Sequence, residues 1–93
     1  MEENYIITTE GAFTDSFPGN RKEYELEELQ AIVGGYIEIL QLCDGMIMVL
    51  NEEGKFTCEP NPKATVLAKM CGAIYPHDYI AGNVLVCHSE LVK

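Results

Sequence analysis

Positive charge is scarce in this sequence. Six Lys and Arg stand against fifteen Asp and Glu in 93 residues, a formal net charge of −9. Proteins that grip a nucleic-acid backbone gain affinity by neutralising phosphates with Lys and Arg, so direct nucleic-acid binding is not expected. Long apolar runs are missing too: the longest, Gly45–Leu50, has the length of a strand and falls far short of the ~20 residues that span a bilayer. The opening MEENYIITTE is acidic and has neither the basic start nor the apolar stretch of a signal peptide, so the expected location is cytoplasmic. No CxxC pair occurs. Cys43, Cys58, Cys71 and Cys87 are widely spaced, and neither His77 nor His88 has a second ligand at metal-binding spacing. Without an export signal the four cysteines are expected to be reduced and structural, with no metal and no cofactor.

What is present suits one small α+β domain over 1–93. The hydrophobic fraction of 47% is that of a globular protein. A chain of this size buries only about 60–65% of its unfolded surface, so a homodimer or higher homo-oligomer is expected to add to its stability. Tyr5–Thr9 (YIITT) reads as a first strand, and Gly11–Asn20, with Pro18-Gly19, as a loop that folds over a site. Leu26, Leu29, Ile32 and Val33 recur at helical spacing, which predicts a helix over Tyr24–Val33 ended by Gly34. Its crowded glutamates read as a solvated helix start rather than a catalytic cluster. Tyr36–Leu42 and Met46–Asn51 are strands joined by a Cys43-Asp44-Gly45 hairpin turn, with a short strand at Phe56–Cys58. Asn61 and Pro62 open a second helix, Lys63–Cys71; Val84–Cys87 is the last strand, and Ser89 caps a final short turn. The predicted order is β-α-β-β-(β)-α-β: a mainly antiparallel sheet of four to five strands with two helices on one face.

No motif announces catalysis. Cys87 and His88 are adjacent on a strand and would point to opposite faces, which argues against a dyad. Gly34-Gly35 precedes a strand instead of opening a helix, the wrong order for a phosphate cradle. Polar residues do collect at the ends of elements, where binding sites are often built on a rigid scaffold. Gly35, Tyr36, Asn51, Glu52, Glu53, Asn61, Lys63, Thr65, Asp78 and Asn83 form the candidate ligand-binding set. In one reading Tyr36 stacks on a base while Lys63 and helix-terminal amides hold a phosphate.

VGGYIEIL (33–40), the hairpin ending in NEEGK (51–55), NPKAT (61–65) and DYIAGNVLV (78–86) together resemble a small domain family of unknown function found in bacteriophages and mobile elements of gut bacteria and Firmicutes. The resemblance runs from about Tyr5 to Cys87. It implies a protein made by a mobile element inside a bacterial host, and hence a non-catalytic, anti-defence binding protein. Two modes are expected: sequestering a small nucleotide-like ligand, or blocking a host protein. The alternatives are an acidic mimic of nucleic acid that occupies a basic groove, which the −9 charge suits, and a structural accessory subunit.

Overall fold

The computed structural model describes residues 4–92, and the protein is of the α+β class. Strands β1 (Tyr5–Ile7), β2 (Phe13–Asp15), β3 (Ile37–Gln41), β4 (Met46–Asn51) and β5 (Val84–His88) form one sheet in the order β2-β1-β5-β4-β3. Every neighbouring pair is antiparallel. Helices α1 (Leu26–Val33), α2 (Gly54–Thr57) and α3 (Pro62–Met70) complete it, with a 3-10 turn at Ser89–Leu91.

Central strands β4 and β5 explain the architecture. MIMVL and VLVCH offer apolar side chains to both faces, so each face needs a cover. Ile47, Val49, Leu85 and Cys87 pack with Leu29 and Val33 of α1 and with Tyr24. Met48, Leu50, Val84 and Val86 pack instead with Ala64 and Ala68 of α3, and with Ile7 and Ile80. The two main helices therefore lie on opposite faces, not on one face as the element order had suggested. A one-sided sheet would have required polar residues at alternate positions of β4 and β5, and there are none before the last residue of each, Asn51 and His88.

Local chemistry sets the ends. Glu25 and Glu28 form a reciprocal capping box on α1, and Gly34 closes that helix at φ 83°, a conformation glycine adopts without a Cβ penalty. Asp44 and Gly45 both hold positive φ, as a primed hairpin turn requires, and Met46 N–H donates to Cys43 O at 3.1 Å. Asn61 caps α3, with Pro62 in its first turn.

Three expectations are corrected. Part of Gly11–Asn20 is β2, paired with β1 across a turn in which Gly11 N–H donates to Thr8 O. The expected strand at Phe56–Cys58 is replaced by α2: Asn51 and Glu53 turn the chain at once, and one helical turn follows. Cys43 and Cys71 are joined in a disulfide, their Cα atoms 5.5 Å apart, while Cys58 and Cys87 are free. The fold brings the β3–β4 turn beside the end of α3, a proximity that residues 28 positions apart do not advertise in sequence.

Candidate functional site

A depression of about 640 Å³ opens where α1 ends. Glu27, Gln30 and Ala31 of α1 form one wall; Gly34, Gly35 and Tyr36 form the connection into β3, and Asn51, Glu53 and Thr57 face them. Asn51 holds the two sides together. Only 7% exposed, it donates from Nδ2 to Val33 O at 3.1 Å and accepts from Glu53 N–H on Oδ1 at 2.7 Å. Gly35 makes that approach possible, since a Cβ there would lie 3.0 Å from Asn51 Nδ2. Tyr36 is fixed through its backbone, whose carbonyl accepts from Glu52 N–H at 2.9 Å, while the residue is 70% exposed. The result is an aromatic ring beside two carboxylates, two carboxamides and a hydroxyl, with no cation in the lining.

Of the ten expected residues, Gly35, Tyr36, Asn51 and Glu53 meet in this groove. Glu52 lines a smaller neighbouring depression with Glu38, Lys55 and Tyr79. Asp78 pairs with Lys55 on the same side of the molecule, and Lys55 also lies over the Tyr79 ring, 5.1 Å from its centre. The bond to the Lys55 ammonium, followed by that from Tyr79 N–H, holds the Asp78 carboxyl below its ordinary value; the same bond raises Lys55.

The other four residues are occupied elsewhere. Asn61 is fully buried, and Thr65 Oγ accepts from Ile80 N–H at 2.9 Å, so both join α3 to the 78–82 segment. Lys63 donates to Gly11 O at 3.2 Å and sits over the Phe13 ring. Asn83 accepts from Thr9 N–H at 3.0 Å. Lys63 and Tyr36 line separate depressions, so they do not form one base-and-phosphate site. Sequence reasoning missed Glu27, Gln30, Ala31 and Thr57. The first three recur at three- and four-residue spacing on one helix face, the signal that could have found them.

Burial pushes the Cys87 thiol up to about 11, so it is not posed as a nucleophile. Among the described residues, no three His, Cys, Asp or Glu side chains are placed to share a metal ion, and no helix is long and apolar enough to cross a membrane.

No curated protein and no solved structure matches this chain. A family model does, over residues 6–91, nearly the full length. The chain therefore belongs to the family described as Domain of unknown function (DUF3846).

Proposed function

We propose that this protein is a non-catalytic binding module of a phage or mobile element, which acts in the host cytoplasm against defence by occupying a host protein. The observation that carries this reading is the groove around Tyr36: an exposed aromatic ring flanked by the carboxylates of Glu27 and Glu53, with no cation in its lining. Such a lining suits a basic or neutral side chain of a partner protein, since an Arg or Lys can stack on the ring and meet a carboxylate. It disfavours the phosphate of a nucleotide-like ligand, which would meet two negative charges without compensation.

The nucleic-acid mimic is less well supported. Glu28 accepts from Gly19 N–H and Glu25 N–H, and Glu25 accepts from Asn20, so these carboxylates hold the 16–23 segment against α1. They serve the fold before they serve a surface.

The test is affinity capture from host lysate with the wild-type protein, Tyr36→Ala and Glu53→Lys, at low and moderate salt, alongside native mass spectrometry. A host protein retained by the wild type and lost by both variants supports the reading. A retained small molecule of a few hundred daltons would support sequestration instead. If neither is found, or if the groove variants capture the same protein as the wild type, the reading fails.

A further inference from the structure

The outer edge of β3 carries a second feature, distinct from the groove. In the β3–β4 ladder, Glu52 N–H donates to Tyr36 O and Leu42 N–H to Met46 O. With the pairing Ile37↔Asn51 through Gln41↔Ile47, these bonds place the even residues of β3 in hydrogen-bonded pairs with β4. Ile37, Ile39 and Gln41 must then direct their N–H and C=O groups away from the sheet. No hydrogen bond from the described residues reaches them. Natural sheets shield such an edge with proline, charged side chains, a bulge or a covering segment. This strand has no Pro or Lys and a single charge, Glu38; its pairing runs unbroken over five residues, and Ile39 is 44% exposed. The opposite edge, β2, is only three residues long.

We infer that β3 pairs with β3 of a second copy of this chain, in an antiparallel register centred on Ile39. In that register alone do all three outward residues of the strand pair with one another. Ile39 faces Ile39, Ile37 faces Gln41, and all three outward residues make reciprocal backbone bonds. On the other face Glu38 meets Leu40. A register centred on Glu38 would set two carboxylates directly opposite one another, and one centred on Leu40 would leave Ile37 unpaired. Lys55 lies close enough to Glu38 to feel its charge, which tempers the remaining repulsion between the two copies. Since the two-fold axis is perpendicular to the sheet, both α1 helices fall on one side of a ten-stranded sheet.

Analytical ultracentrifugation and amide hydrogen exchange on the full chain test this. The expected species has twice the 10.4 kDa chain mass, and because each copy carries a charge of −9 the dimer tightens as salt is added. Ile39→Lys should raise the dissociation constant at least about a hundredfold, by setting two ammonium groups face to face. Ile39→Pro should do the same, because it removes only an outward donor. The amides of Ile37, Ile39 and Gln41 should be protected in the wild type and exchange freely in Ile39→Lys. Those of Glu38 and Leu40 should stay protected in both, which shows that the variant is folded. A monomer at all micromolar concentrations, a dimer indifferent to both substitutions, or unprotected amides at 37, 39 and 41 would overturn the inference. So would a peptide of another protein seated along this edge.

Discussion

The side-chain amide of Asn61 donates to the carbonyl oxygen of Ile7, 54 positions earlier in the chain, at 3.0 Å. The same nitrogen donates to Gly82 O at 2.8 Å, and Oδ1 accepts from Ala64 N–H at 3.1 Å. One buried carboxamide thus joins β1, the start of α3 and the approach to β5. Asn61→Ala removes three hydrogen bonds at once, to two carbonyls and a helix amide, and should cost about 3 kcal/mol in urea denaturation. Asn61→Asp keeps the cap but cannot donate, and should be no less damaging.

The paired glycines before β3 should respond differently to alanine. Gly34→Ala meets no neighbouring atom but must hold φ 83°, at a cost of about 1 kcal/mol. Gly35→Ala brings a methyl group to 3.0 Å from Asn51 Nδ2 and should displace that side chain. Its signature is loss of protection at the Glu53 amide, which Asn51 accepts, measured by hydrogen exchange.

The disulfide is checked by counting thiols. Unfolded without reductant, the chain should release two reactive thiols, Cys58 and Cys87, and four after reduction. In the native state Cys87 should label only as fast as the protein opens, because it is buried. Replacing Cys43 and Cys71 together by serine should lower stability by about 3 kcal/mol, from the chain entropy returned to the unfolded state.

Asp78 and Lys55 make a pH prediction with a definite sign. The Asp78 carboxyl is held below its ordinary value of 3.8, so the pair's contribution is complete above that pH and fades as acid carries the folded protein through the lowered value. The raised Lys55 ammonium keeps its share below 10.5 and loses it as pH climbs through the higher folded value. An NMR titration of the Asp78 carboxyl should show its midpoint return towards 3.8 in Lys55→Met. Global stability should hardly change, since the pair is solvent-exposed.

These residues also show what sequence could and could not convey. The Leu26–Val33 helix, the Asp44-Gly45 turn and the Asn61 cap are local matters of spacing, positive φ and side-chain reach, and each is legible within a few residues. The placement of α1 and α3 on opposite faces was written in MIMVL and VLVC, whose uninterrupted apolar character signals burial on both sides; reading them as strands of a one-sided sheet concealed it. The short helix α2 was hidden behind Phe56, whose β preference suggested a strand although its side chain packs against little and stays exposed. In the groove, Gly35, Tyr36, Asn51 and Glu53 stood out as polar or glycine positions at element ends. Lys63, Thr65 and Asn83 shared that signal, but their bonding atoms are taken up by internal partners. Only the folded chain separates a polar side chain that is spent from one that is open.

The two-sided greasiness of β4 and β5 has a consequence for how the chain finds one arrangement. In a sheet with one wet face, sliding a strand by one residue exposes its oily side, and that penalty enforces alignment. Here a slip exchanges Ile47 for Met48 or Leu85 for Val86, and burial barely distinguishes the outcomes. Alignment then falls to the few groups that cannot slide: Asn51 at one end of β4, Asp44-Gly45 at the other, and Asn61 beside the start of β5. Substitutions at these positions should blur which native state forms, besides weakening it, and broadened NMR lines along β4 and β5 would be their trace.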